Sequence, residues 1–513
     1  MKQTIAILLG LSLTCSANAM LNQTLSQQDQ VSAIFEQAKQ QPSSLQLFLD
    51  TMPKGGDLHI HRSGAAYAEN LIRYGQKDNI CVDEHTLTPH ASKTCNSGVT
   101  LADLPKDEAL YNRVVDSWSM RSFVEGHETN EQHFFGIFPR IYPVTSDHGA
   151  DTLAEILNRG AKQHEIYMEP MLTTMGDKAM EIGSQVEWNQ DLSVLRQQLM
   201  KQGIPELVNE IQAKIKSDTN LARQKMHCGT DKAEPGCNMT FRYEYLAVRD
   251  VEPKLVFAQL LTAFELAKRD PQIVAVNLVA PEDSVTALRD YHLQMLMMNY
   301  LHGIYPGVNI ALHAGELSPS VVTPADLSYH IADAVHMGNA QRIGHGVDIA
   351  GENNANNLLA EMAAKHIPVE INLTSNDTLL HVSGDRHPLP LYLSKHVPVV
   401  LATDDEGILR TNITREYQRA IETYDLDYPT VKTIVRNSIT YSFMPGNSLW
   451  DNAETAEVVK ACRRDNLGDT LRSKSCDGFL QNNAKARLQW RLESQFNNFE
   501  TSIVKQAALV NHG

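Results

Sequence analysis

Short apolar runs recur along the chain at residues 58–61, 166–172, 239–246, 273–279, 308–313, 342–344, 368–373 and 397–402, and several are rich in β-branched residues. Many carry a polar residue at the C-terminal end, a pattern expected of parallel strands buried on both faces. Amphipathic helical stretches lie between several of them, for example 254–268 and 356–365. Alternating strand and helix predicts a parallel α/β fold, and eight candidate strands suggest closure into a (β/α)8 TIM barrel. Before the first strand, Val31, Ile34, Phe35 and Ala38, then Leu45, Phe48 and Leu49, fall at helical spacing, which predicts a helical extension over 20–50. The longer gaps near 75–160 and 175–238 read as insertions between strands. No repeat, low-complexity tract or Gly/Ser linker interrupts the chain, so 51–513 reads as one large domain.

Composition narrows the function classes. The chain has 513 residues, 42% hydrophobic and 21% charged, with a net charge of -16. That is ordinary globular composition, long enough for a large core. The acidic balance disfavours nucleic acid and anionic membrane as partners and leaves a small neutral substrate open. Lys2, a nearly apolar run over 5–13 and Ala17-Asn18-Ala19 read as a secretory signal peptide over 1–19, too short to span a bilayer. No later apolar run has membrane length, so the mature protein is expected to be soluble and periplasmic or secreted. Apart from Cys15, six cysteines form three sequence-close pairs, Cys81/Cys95, Cys228/Cys237 and Cys462/Cys476, as expected of disulfides in an oxidising compartment. Free buried thiols are the alternative; a Cys-rich metal site is disfavoured because no CxxC spacing occurs.

Four polar clusters sit at or just after candidate strand ends: Asp57-Leu58-His59-Ile60-His61, His313-Ala314-Gly315-Glu316, Gly344-His345-Gly346 and Thr403-Asp404-Asp405. In a barrel this is the face where catalytic groups gather. Residues two apart on a strand point the same way, so His59 and His61 converge. Asp404 follows an apolar run that would strand its charge without a partner. Three imidazoles and one carboxylate suit zinc, with a position left for water. Glu316, three residues past His313, stands where a general acid or base belongs. Taken singly, each cluster has an ordinary structural reading: packed core histidines, a turn residue between glycines, aspartates capping a helix. Together, four strand ends in order offer what a mononuclear zinc hydrolase requires.

These residues carry a family resemblance. Met52-Pro53-Lys54-Gly55 followed by His59-Ile60-His61, then His313-Ala314-Gly315-Glu316, Arg342-Ile343-Gly344-His345-Gly346, Thr374-Ser375-Asn376 and Thr403-Asp404-Asp405 resemble the adenosine deaminase family over roughly 50–450. The Met-Pro-Lys-Gly lead-in, signal and early insertion look like its secreted branch, the adenosine deaminase-related growth factors. The resemblance implies one zinc ion on His59, His61, His313 and Asp404. It implies that Glu316 protonates the purine ring, that His345 orients and deprotonates the attacking water, and that Asp405 holds it and contacts the base. The expected reaction is hydrolytic deamination of adenosine, with 2′-deoxyadenosine as a further substrate.

Two departures bear on substrate. Arg62-Ser63-Gly64 stands where the family usually has Leu-Asp-Gly, so Ser63 offers a hydroxyl where a carboxylate meets the ribose. Ala280 stands where a glycine amide meets the purine, and its Cβ narrows the approach. A modified adenine nucleoside is therefore the alternative substrate, and a non-catalytic, growth-factor-like nucleoside binder is the alternative class. Trp118, Phe123, Phe134, Phe135 and Phe138 make the early insertion aromatic-rich; packed core is the favoured reading, a lid the other. A homodimer is compatible with the sequence.

Overall fold

All eight apolar runs contribute a strand to one sheet. The protein, a computed structural model here, is described for residues 26–91, 95 and 98–511, so the expected signal at 1–19 lies outside the described residues. The strands are β1 (Gly55–His61), β2 (Glu165–Leu172), β3 (Tyr243–Val248), β4 (Ile273–Val279), β5 (Asn309–Ala314), β6 (Arg342–His345), β7 (Val369–Ile371) and β8 (Val399–Leu401). Each pairs in parallel with the next in chain order. The seam closes through Asp404, whose amide donates to the His59 carbonyl at 2.9 Å and whose carbonyl accepts from the His61 amide at 3.0 Å. The result is the expected (β/α)8 barrel.

The third strand departs from the run 239–246. Thr240–Phe241 is a separate piece pairing with Tyr167 and Met168, whereas Tyr243–Val248 pairs with both neighbours. The register slips between Tyr243 and Glu244, as at a bulge. Arg242, between the two pieces, spends its amide on the Met168 carbonyl and turns its guanidinium to the Phe241 carbonyl.

Ahead of the barrel, α1 (Gln27–Ala38) starts at a Ser26/Asp29 capping box and α2 (Pro42–Thr51) starts on proline. Their apolar faces bring the Phe35 and Phe48 rings to 5.1 Å of one another. Between β1 and β2 lie a small antiparallel sheet (Ile80–Asp83, Pro89–Ala91, Gly98–Thr100) and α3 (Asn130–Thr145), opened by a Thr129/Gln132 capping box. The insertion's side chains form a second apolar cluster that includes Trp118 and Phe134 and joins Val347, Leu379 and Ile408 from the segments after β6, β7 and β8. The insertion therefore seats on the mouth. After β8, α4 (Tyr428–Thr440) packs beside β1 and β8. The terminal helix α5 (Ala484–Asn511) reaches back to α1 and α2, with Phe499 5.1 Å from Phe48.

The three sequence-close cysteine pairs are bridged, with Cα–Cα separations of 5.7, 5.3 and 4.5 Å. The last anchors a small cluster of Leu449, Trp450, Leu480 and Trp490 beside the barrel. No described helix is long and apolar enough to cross a membrane. Closing a loop of 14 residues, the Cys462–Cys476 bridge is expected to contribute about 3 kcal/mol. Cys462→Ser with Cys476→Ser should lower the thermal midpoint by several degrees in calorimetry, and an unchanged midpoint would speak against that contribution.

Candidate active site

His59 and His61 leave β1 on the same side, and His313 ends β5 facing them. The His61 and His313 Nε2 atoms are 3.2 Å apart, and Asp404 Oδ1 lies 3.3 Å from His61 Nε2 and 3.7 Å from His59 Nε2. His59 also groups with His345 and Asp404, and His61 with Asp404 and Asp405, each set with donor atoms within 4.8 Å of one another. The structure thus brings together all four expected ligands, with His345 and Asp405 at their edge. Glu316 stands outside these groups, its Oε1 3.6 Å from His345 Nε2.

Neighbouring strands fix the rings. The His59 Nδ1 atom sits 2.7 Å from Glu370 Oε2, so it donates there and Nε2 faces the site. Buried His59 Nε2 has no hydrogen-bond partner among the described residues. His313 Nδ1 donates to Asn277 Oδ1 at 3.0 Å, and Asn376 places its amide nitrogen 2.9 Å from His345 Nδ1. Behind them Arg342, 1% exposed, donates to Glu370 at 2.6 Å, to Glu169 at 2.5 Å and to Glu244. Glu244 accepts from Asn277 at 3.1 Å, which links the supports of His59 and His313. Asp57 accepts from the His59 amide at 3.0 Å and the Thr403 hydroxyl at 2.6 Å, tying β1 to the end of β8.

The charge states follow from burial. It depresses His61 to about 4 and His345 to about 3, and holds His313 well below the usual histidine range. These neutral imidazoles are in the form that binds metal. At His59 burial acts in the same direction but is outweighed by the Glu370 carboxylate, so its Nδ1 proton is firmly held. Burial works against the Asp404 carboxylate, yet the surrounding imidazoles His345, His61 and His59 bring its pKa below the ordinary value. Glu316 and Asp405 are pushed well above theirs by burial and by the Asp404 charge. An orphaned imidazole nitrogen among two more imidazoles and a carboxylate fits a divalent ion of the zinc type.

Two glycines make this crowding possible. A Cβ on Gly344 would stand 2.8 Å from His59 Cε1, and one on Gly64 would meet Asp405 Oδ1 at 1.6 Å. His345 at φ 68° and Asp404 at φ 58° adopt the left-handed region despite their side chains, strain that gathers at functional sites.

A cavity of about 670 Å³ opens from this cluster. Ser63 and Ala280 line it beside His61 and Glu316, where the sequence places the ribose and purine contacts. Ala280 has φ 92°, a conformation suited to glycine. Of the aromatic residues in the insertion, Trp118 is core, as expected, whereas Phe134, Phe135 and Phe138 also line the cavity. Phe123 stacks on His133 at 4.0 Å.

Sequence reasoning missed the supports Glu169, Glu244, Asn277 and Glu370. Each interrupts an apolar strand, in YMEPM, YEYLA, VAVNLVA and IPVEINL, and that interruption was the available signal.

A closed parallel barrel with imidazole and carboxylate donors converging at its C-terminal mouth defines the class: a (β/α)8 protein with a candidate divalent-metal centre. The family model described as adenosine deaminase matches residues 206–453, which include His313, Glu316, His345, Asp404 and Asp405. Over that stretch the chain is similar to the adenosine deaminase family. It is 33% identical to an N6-methyl-AMP deaminase of Danio rerio over 144 residues, 27% of this chain and 38% of that protein. It is 29% identical to an adenosine deaminase of Clostridium botulinum over 206 residues, 39% of this chain and 54% of that one. The chain thus spans between about two-fifths and half the length of these relatives. A zinc-bound amidohydrolase of Burkholderia ambifaria shares the fold, with TM-score 0.51 and 15% identity over 78% of this chain and 88% of that one.

Two variants test the geometry. Glu370→Gln, which takes the carboxylate acceptor from His59, should weaken divalent-metal affinity about 10–100-fold in chelator competition. Ala280→Gly should leave stability unchanged or raise it, against the usual cost of glycine, because it relieves a positive φ. A clear drop in urea midpoint would contradict the strain.

Proposed function

We propose that the protein is a zinc-dependent aminohydrolase converting adenosine, and 2′-deoxyadenosine, with water to inosine and ammonia. The observation that carries this reading is the meeting of His59, His61, His313 and Asp404 at one point, with the Glu316 carboxyl set just outside, 3.6 Å from His345. The four would hold one zinc ion. When bound, zinc supplies Lewis acidity that makes water a usable nucleophile near neutral pH.

The chain's own groups do the rest. Burial and the nearby Asp404 charge raise the Glu316 pKa, which favours the protonated form that can pass its proton to the ring nitrogen as water adds to the adjacent carbon. His345, with Nδ1 taken up by Asn376, orients the water and, with a pKa near 3, holds its proton only in passing. Asp405, buried beside Asp404, is placed to accept from the water and to contact the base. Phe134, Phe135 and Phe138 cover the purine from the insertion and keep bulk water out. Ser63 meets the ribose and the Ala280 amide the purine. The three disulfides support a periplasmic or secreted setting.

A modified adenine nucleoside is the second reading, favoured by a cavity that continues past Ser63 to Arg62, Lys178 and Lys214. A panel of purine nucleosides followed by ultraviolet absorbance, with and without chelator, separates the two; no chelator-sensitive turnover of any of them would reject both. Glu316→Gln should retain zinc while losing about 10²–10⁴-fold in kcat. A donor works only while protonated, so the parent's kcat should fall as pH rises through the elevated pKa of Glu316.

A further inference from the structure

Glu282 lies in the loop after β4, two residues beyond Ala280, and is 2% exposed. Its carboxylate is spent on the neighbouring strand end. The Gly315 amide donates to Oε1 at 3.1 Å and the Glu316 amide to Oε2 at 2.8 Å. Two successive N–H groups aimed at one anion make a backbone nest, here with Gly315 at φ 71°. From the other side, His330 Nδ1 donates at 2.5 Å and Arg249 Nη1 stands 3.7 Å away.

These partners are themselves fixed. The His330 ring is fully buried and stacked 3.8 Å from Tyr291. Arg249, also fully buried, donates to the carbonyls of Leu278 at 2.9 Å and His313 at 2.7 Å. One buried group therefore sets the backbone of the segment that runs from the candidate ligand His313 to the candidate proton donor Glu316.

We propose that Glu282 is a positioning residue: by gripping the Gly315 and Glu316 amides it holds the Glu316 carboxyl beside His345. The proposal rests on the deaminase reading. A purely structural Glu282 would act on the whole fold; a positioning one acts through Glu316.

The two roles separate in a double-mutant cycle on the zinc-loaded enzyme. Glutamine keeps the size of Glu282 but has one acceptor oxygen, so one amide meets an NH2 group. Glu282→Gln should lower kcat about 10–100-fold, with KM within about twofold and zinc content unchanged. In the Glu316→Gln background the same change should cost less than about twofold, because the group it positions is already disabled. Losses that multiply in the double variant, or a loss explained by KM or zinc content, overturn the proposal. If Glu282→Gln does not fold, Glu282→Asp, which keeps the charge but shortens the reach, goes through the same cycle under the same criteria. A parent that binds zinc but deaminates no adenine nucleoside overturns the deaminase reading and this proposal with it. A parent that turns over while the losses multiply overturns this proposal alone.

Discussion

The candidate metal site depends on a charge that never touches it. Arg342 lies inside the barrel, out of contact with water, and donates to carboxylates from β2, β3 and β7. Its positive charge is what makes Glu169, Glu244 and Glu370 tolerable in a low-dielectric interior, and their geometry is fixed by its planar fork. From Glu370 the constraint passes to His59, and from Glu244 through Asn277 to His313. Barrel interiors are commonly filled by layers of branched apolar side chains. Here part of that volume is a connected polar network whose outer ends are the two imidazoles.

That network explains what could and could not be read from the chain. His59, His61, His313, Glu316, His345, Asp404 and Asp405 stand out because strand-end motifs place them in one dimension, and closure into a barrel brings those ends together. The parallel fold was legible for a related reason: strands buried on both faces are short, apolar and separated by helices. Glu370 and Asn277 escaped because each is one polar residue in an otherwise ordinary strand, with partners in distant segments. The break at Arg242 was hidden because Met239, Phe241, Tyr243 and Tyr245 continue the apolar alternation straight through it. Only the register against both neighbours reveals the slip.

The insertion between β1 and β2 shows a similar division. Its aromatic residues suggested packing, and Trp118 does pack. Helix α3, however, presents Phe134, Phe135 and Phe138 to the cavity as well as to one another, with Phe134 and Phe135 at 5.1 Å. The same rings stabilise the insertion and shape the space before the site. Sequence periodicity reports that a face is apolar, but not whether a neighbouring side chain or a ligand will cover it.

The barrel seam runs through Asp404, whose backbone hydrogen-bonds the His59 carbonyl and the His61 amide on either side of Ile60 while its carboxylate faces the site. The last staves of the cask are thus joined by the residue that would also grasp the ion. Loading the centre and shutting the cylinder then become two views of one equilibrium, and whatever tightens either lends its free energy to the other.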